Sequence, residues 1–311
     1  MALLVWLVLG ATAEAHQPLN VRAGAESTRD YWTPKRLASA EPVPVASAPG
    51  GGALAAPRSA EAVGRPGQRP GTAPAGIAGA PQLNRLFSGE VADQTLYPQS
   101  ANGKLFFSSG RSDYECSASV VQSQSNSVIL TAGHCIFGRR GGFSKRLLFV
   151  PAYVDGAQPY GSWTWDFEVV SKQYFKSESL HFDYGAVKLR PNASGSIGDV
   201  VGELGLRWNQ SRDQLYRAIG YPSNLAGGGR MWNCVSGLAT VDKKLAVGPP
   251  PSGIECDMGG GSSGGGWTIA DSTGFYLNSV TSYSLRGLSN VLFGPYLTGK
   301  VNGIVNRANR G

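Results

Sequence analysis

The run Ile129-Leu130-Thr131-Ala132-Gly133-His134-Cys135 ends an apolar, β-branched stretch on a histidine and a cysteine. Far downstream, Gly261-Ser262-Ser263-Gly264-Gly265 embeds serine in glycine, and between the two Phe182-Asp183-Tyr184-Gly185-Ala186-Val187-Lys188-Leu189 sets an aspartate at the mouth of another strand-like run. Histidine, aspartate and serine in this order are the parts of a nucleophilic triad. To act together they must be gathered from distant stretches, so the chain needs a fold that brings many short segments to one cleft.

The chemistry assigns each part. A serine hydroxyl is a weak nucleophile until a neighbouring base takes its proton, and histidine titrates in the right range to do so. A buried carboxylate fixes the imidazole tautomer and stabilises the imidazolium. Ser263 is read as nucleophile, His134 as base and then acid, and Asp183 as orienter. The chain has three histidines. His16 falls near the N-terminus, and His181 reads as a surface loop residue beside the strand of Asp183. Asp155 and Asp166 also lie between His134 and Ser263, but the strand Ala186–Leu189 follows Asp183 directly. Ser262 is the alternative nucleophile; the two glycines after Ser263 favour Ser263. The N–H groups of Gly261 and Ser263 are the candidate oxyanion donors, given a conformation at Gly261 that a Cβ would forbid.

Thr131-Ala132-Gly133-His134-Cys135 resembles the histidine motif of the trypsin-like (chymotrypsin-fold) serine endopeptidases letter for letter. Gly261–Gly265 resembles their Gly-Asp-Ser-Gly-Gly motif, with Ser262 where the aspartate is usual. The resemblance covers residues 86–311 and extends to the divergent, secreted V8-like branch. It implies an all-β fold of two six-stranded antiparallel barrels with the triad between them and a C-terminal helix behind. It also implies a substrate-binding wall at Ser282-Tyr283-Ser284. By count, Asp257 falls where trypsin-like enzymes keep the aspartate that attracts Lys or Arg; its other expected role is to hold the oxyanion loop in place of the missing carboxylate. Glutamate-specific relatives carry a histidine just before the wall segment, where this chain has Thr281.

Composition divides the chain near residue 85. Ala38 to Pro81 is dominated by Ala, Pro and Gly, which cannot bury enough apolar surface to offset ordering entropy. Residues 1–15 read as a signal peptide, apolar but too short to span a bilayer. Residues 16–85 read as a disordered pro-segment and linker, and 86–311 as the protease domain. Asp30-Tyr31-Trp32-Thr33-Pro34-Lys35-Arg36 is an aromatic island in the pro-segment, read as an element that docks on the domain. The mature chain is expected to begin between Arg85 and Lys104.

Beyond Lys104, short β-rich runs alternate with Gly, Asn, Ser and Pro: Lys104–Ser108, Ser117–Val121, Ser127–Thr131, Leu147–Val150, Trp163–Val170, Tyr184–Leu189, Tyr216–Gly220, Gly237–Val241, Gly274–Val280 and Asn290–Phe293. Such spacing argues for a barrel or sandwich. Helical periodicity is confined to Tyr296–Asn309.

The cysteines are Cys116, Cys135, Cys234 and Cys256. In a secreted chain they point to two disulfides with three connectivities. Cys116 and Cys135 flank the hairpin Ser117–Thr131, and the family has a comparable bridge there; that leaves Cys234 with Cys256. No Cys/His spacing suits zinc, so neither a metal nor a cofactor is called for. The net charge of +7 is dispersed, with Lys243-Lys244 and Arg139-Arg140 as isolated pairs, which makes nucleic acid a poor partner. Asn192 and Asn209 head glycosylation sequons. The expected protein is a secreted, extracellular, monomeric serine endopeptidase acting on proteins or peptides. The competing reading is a catalytically inactive homologue that binds partners through the same fold. An esterase of the α/β-hydrolase kind would order its triad differently.

Overall fold

The computed structural model describes residues 25–49, 62–75, 88–243 and 248–311. The signal-peptide reading of residues 1–15 falls outside them. The N-terminal part contributes α1 (Ala25–Tyr31), α2 (Pro34–Ser39), β1 (Glu41–Pro42), β2 (Ala46–Ala48) and β3 (Gly67–Arg69). Thr33 caps α2 by accepting from the N–H of Arg36, with Pro34 at the first helical position, where its missing N–H costs nothing.

After β4 (Gly89–Glu90) comes the first barrel. It is built from β5 (Asn102–Ser109), β6 (Ser112–Val121), β7 (Val128–Thr131), β10 (Lys145–Pro151), β11 (Trp163–Val170) and β12 (Gly185–Leu189). The short α3 (Gly133–Ile136) and the hairpin β8 (Phe137–Gly138) and β9 (Gly142–Phe143) follow β7. Every neighbour in the ring β5-β6-β7-β12-β11-β10 is antiparallel, and β10 pairs back to β5, so the sheet closes. Closure removes the unpaired edges that an open sheet would expose.

Alternation along β5 shows how sequence positions the layers. Leu105 and Phe107 point into the barrel core with Ile129, Phe149 and Val187, whereas Phe106 points out and packs with Trp32, Leu148 and Tyr221. The outer face is therefore apolar because the N-terminal part covers it. The aromatic island docks as read.

α4 (Lys172–Ser177) and α5 (Ile197–Val201) flank the barrel. The second half contains β13 (Gly205–Trp208), β14 (Tyr216–Gly220), β15 (Trp232–Ser236), β16 (Leu238–Val241), β17 (Ser252–Glu255), β18 (Gly266–Asp271), β19 (Gly274–Val280), β20 (Tyr283–Leu285) and β21 (Leu288–Gly294). Where a second closed barrel was expected, these strands form a seven-stranded sheet, β3-β13-β19-β18-β14-β15-β4, and a five-stranded one, β16-β17-β21-β20-β2. The chain passes from the seven-stranded sheet to the five-stranded one at Gly237, returns between β17 and β18, and crosses again at Thr281-Ser282. The C-terminal helix α6 (Lys300–Arg310) buries Val301, Ile304, Val305 and Ala308 against the outer face of β7, β11 and β12.

Parts of the Ala/Pro/Gly-rich stretch, expected to stay without structure, borrow sheet edges from the domain. β1 adds to β6, β2 to β20, and β3 to β13. β4 pairs with β15 and Val91 N–H bonds to the Met231 carbonyl. A mature chain beginning beyond Val91 would lose this edge.

Candidate active site

β7 delivers its C-terminal end to the turn that starts α3, placing His134 at the rim of the first barrel. Asp183 follows a 3-10 turn, Leu180–Phe182, at the mouth of the neighbouring strand β12. The pairing Gly185 with Thr131 fixes the two loops side by side. His134 Nδ1 lies 2.7 Å from Asp183 Oδ2, and the His134 N–H donates to Asp183 Oδ1 at 2.8 Å. The carboxylate is fully buried, and Ser282 Oγ donates to its Oδ2 at 2.5 Å. Burial pulls the His134 pKa down, but the charge and hydrogen bond of Asp183 outweigh it, and the net shift is upward.

Ser263 stands in a loop squeezed between the two halves. Its carbonyl accepts from Ser117 N–H at 2.8 Å, and Gly264 N–H donates to Thr281 O at 2.8 Å. The glycines are steric requirements here. Gly261 has φ +85°, and a Cβ there would sit 2.5 Å from the Tyr221 carbonyl. Gly264 has φ +79°, and its Cβ would overlap Thr131 Oγ1 and the Ser117 carbonyl. The glycine run is a packed loop rather than a flexible linker.

Ser262, where the family's aspartate is usual, is buried and donates its hydroxyl to Gly259 O at 2.6 Å. It ties the loop locally. Ser263 Oγ and His134 Nε2 are both buried without a hydrogen-bond partner among the described residues. Gly261 N–H donates to the carbonyl of Val43 at 2.9 Å.

The other site readings divide. Asp257 is solvent-exposed and engages through its main-chain carbonyl, which accepts from Asn224 Nδ2 at 2.9 Å. Ser282, expected in the pocket wall, faces Asp183, a contact that the motifs alone did not signal. Tyr283 is buried, its hydroxyl donating to Asp242 Oδ2 at 2.7 Å, and Ser284 is half-buried beside it. Thr281 accepts from Trp267 Nε1 at 3.0 Å. His181 is buried, contrary to the surface-loop reading, because the 3-10 turn carrying it is pulled inward where Ser171 Oγ donates to the Phe182 carbonyl. Both expected disulfides form: Cys116–Cys135 beside His134, and Cys234–Cys256.

Similarity to known proteins follows this geometry. No family model matches the chain. The thermostable serine protease AL20 from an extremophilic microorganism is 34% identical, covering 68% of this chain and 97% of its own, at a TM-score of 0.61. The protease Anisep from Arthrobacter nicotinovorans is 32% identical over 68% of this chain and 96% of its own, also at 0.61. A Glu endopeptidase is similar in fold, with a TM-score of 0.58 at 17% identity over 73% of this chain and 99% of its own. The chain belongs to the trypsin-like serine proteases of the chymotrypsin fold.

An extracellular metalloprotease of Bacillus subtilis (strain 168) is 27% identical over 156 residues, half of this chain and 45% of the relative, so the chain spans about half the length of that protein. Its name implies a metal. Among the described residues the candidate ligand cluster is Cys116, His134 and Cys135. Both of those thiols are consumed in the disulfide, and His134 Nδ1 faces Asp183. This donor set does not fit a catalytic metal, whose thiolate ligands must be free.

Proposed function

We propose that the protein is a secreted serine endopeptidase that hydrolyses peptide bonds through Ser263, His134 and Asp183 by way of an acyl-enzyme. The observation that carries this reading is the double grip of Asp183 on His134, through Nδ1 and through the main-chain N–H, beside a serine set in a glycine-walled loop. Asp183 holds the imidazole with Nδ1–H toward the carboxylate, which leaves Nε2 as the base for the Ser263 hydroxyl. As Ser263 Oγ attacks a peptide carbonyl, its proton passes to His134 Nε2. The oxyanion is met by the N–H groups of Gly261 and Ser263. His134 then protonates the departing amine, and water repeats the sequence to release the acid.

Two disulfides and an extracellular relative support an oxidising compartment outside the cell. Among the described residues no helix is long and apolar enough to cross a membrane. In this reading the substrates are proteins or peptides and the enzyme works as a monomer. An exposed Asp257 supports a neutral specificity pocket over one that selects Lys or Arg.

Labelling with a fluorophosphonate tests the assignment. The processed, folded protein is expected to be modified at Ser263, and Ser263→Ala is expected to abolish both labelling and peptide cleavage. Absence of label in processed wild type would establish the inactive, binding homologue instead.

A further inference from the structure

The first of the two docked N-terminal pieces crosses the candidate site, and its path can be followed residue by residue. β1 lies parallel to β6, Glu41 opposite Tyr114 and Pro42 opposite Glu115, next to the disulfide that flanks His134. Val43 then donates its N–H to the Glu115 carbonyl at 2.9 Å, and its own carbonyl takes the Gly261 N–H at 2.9 Å. After Pro44 and Val45, β2 pairs parallel with β20: Ala46 with Tyr283, Ser47 with Ser284, Ala48 with Leu285. Residues 41–48 thus run from the β6 edge, past the Gly261 loop, to the strand that begins just beyond Ser282.

We propose that residues 41–48 are an autoinhibitory strap, occupying by strand addition the groove that an extended peptide substrate would use. The inference rests on the serine-protease reading of the site. The strap sets a carbonyl on Gly261, one of the two proposed oxyanion donors, so that donor is unavailable to substrate while the strap is bound. Strand addition to exposed sheet edges is a general mode of peptide binding, in which main-chain hydrogen bonds supply the hold.

The strap's sequence explains why it would survive in place. The carbonyl on Gly261 belongs to the Val43–Pro44 bond, and Pro42 precedes Val43. The nitrogen of that bond lies in a pyrrolidine ring, and prolines on both sides restrict the backbone of Val43. Ser263 Oγ and His134 Nε2, moreover, are not hydrogen-bonded to each other in this state.

Parallel ladders of two and three residues hold weakly, so the strap depends on its anchor. Trp32 is 5% exposed, packs on Phe106 at 5.7 Å between ring centres, and donates Nε1–H to the Arg146 carbonyl at 2.6 Å. Tyr31 and Arg36 both bond to Asp113, at 2.7 and 2.8 Å. The anchor lies outside the groove and can be altered without touching the proposed catalytic residues.

The test uses the full chain with a specific protease recognition sequence inserted after Pro49, cut after folding. Two readouts are followed, fluorophosphonate labelling of Ser263 and amide hydrogen exchange of Val43 and of β20. The intact chain is expected to label at least tenfold more slowly than the cut chain freed of residues 25–48, with protection at Val43 and β20 lost on release. Trp32→Ala in the intact chain should speed labelling at least tenfold. Should that variant not fold, a peptide spanning 25–48 added to the freed enzyme should slow labelling, and the same peptide with Trp32→Ala should not. Equal labelling of intact and freed chains, or an unprotected Val43 amide in the intact chain, overturns the strap. If Ser263 never labels in the freed, folded protein while protection is still lost on release, the strap stands as a docked segment and the peptidase reading is what fails.

Discussion

Ser282 Oγ donates to Asp183 Oδ2 at 2.5 Å, the same oxygen that faces His134 Nδ1 at 2.7 Å. With the His134 N–H on the other oxygen, three donors satisfy a carboxylate that has no exposed surface. A buried charge survives only when paired and hydrogen-bonded in this way. Ser282→Ala is therefore expected to lower kcat/KM by about tenfold, the value of one hydrogen bond to a charged group, chiefly through kcat. Steady-state kinetics on a peptide substrate check it; an unchanged kcat would show that Ser282 does not position Asp183.

His134 acts as a base only when neutral. Burial opposes its protonation, but Asp183 more than compensates and raises its pKa. The acid limb of the kcat/KM profile should therefore have its midpoint above the ordinary histidine value of about 6.5. Because the folded-state pKa is raised, the pair's contribution to stability is complete below the unfolded pKa and is lost as pH rises through the folded one. Asp183→Asn should move the midpoint down and cut kcat by roughly 10⁴-fold. A midpoint at or below 6.5 in the wild type would contradict the assigned coupling.

How much of this was legible in the chain depends on the range of the interaction that made it. Trp163–Val170, Tyr216–Gly220 and Gly274–Val280 have the same bounds in sequence and structure, because each is a local run of strand-forming residues between turn signals. His134 and Asp183 meet as their motifs imply, since β7 and β12 are neighbours in the ring. Ser282 was read as pocket wall because its bond to Asp183 depends on how the second half packs against the first, which no short pattern encodes. The partition of the second half at Gly237 and Thr281-Ser282 is likewise a tertiary bend. β1, β2 and β3 carry no alternation of their own and exist because the domain offers them edges.

Asp257 was expected either to attract a basic residue or to hold the oxyanion loop, and both roles require a shielded carboxylate. Asp257 is exposed and lacks that shielding, so we propose that it serves neither role. Asp257→Ser should leave Ser263 labelling and the cleavage profile of a peptide library nearly unchanged, within roughly threefold, as surface substitutions generally do. Loss of an Arg/Lys preference would instead place it in the specificity pocket.

Glu203 accepts from Ser123 N–H and Oγ at 3.1 and 3.3 Å, but burial raises its pKa to about 7 despite those bonds. Nearby Asp199 pushes the same way, while Arg69 opposes. A carboxyl raised in the folded state favours folding when protonated. Its contribution is full below the unfolded pKa near 4.5 and is lost as pH rises through about 7. Glu203→Gln keeps the acceptor and removes the titration. It should stabilise the protein at pH 8 by roughly 1–3 kcal/mol and have little effect near pH 4. Denaturant melts at the two pH values decide; equal effects at both would mean that folding does not shift the Glu203 pKa.

The two disulfides should separate stability from catalysis. They close loops of similar length, with sequence separations of 19 for Cys116–Cys135 and 22 for Cys234–Cys256. Chain entropy then predicts a comparable loss of roughly 3 kcal/mol when either is replaced by an alanine pair. Their positions differ in what they hold. Cys135 follows His134 directly, and its Sγ lies against the Ser263 carbonyl at 3.7 Å, so losing this bridge loosens both sides of the proposed nucleophile–base contact. Cys234–Cys256 joins β15 to the residue after β17, away from that contact. Under conditions where both variants remain folded, the Cys116/Cys135 pair should lose at least tenfold in kcat/KM and the Cys234/Cys256 pair only a few-fold. Urea midpoints together with low-temperature kinetics provide both readings, and equal catalytic losses in the two variants would show that the first bridge has no special part in holding the site.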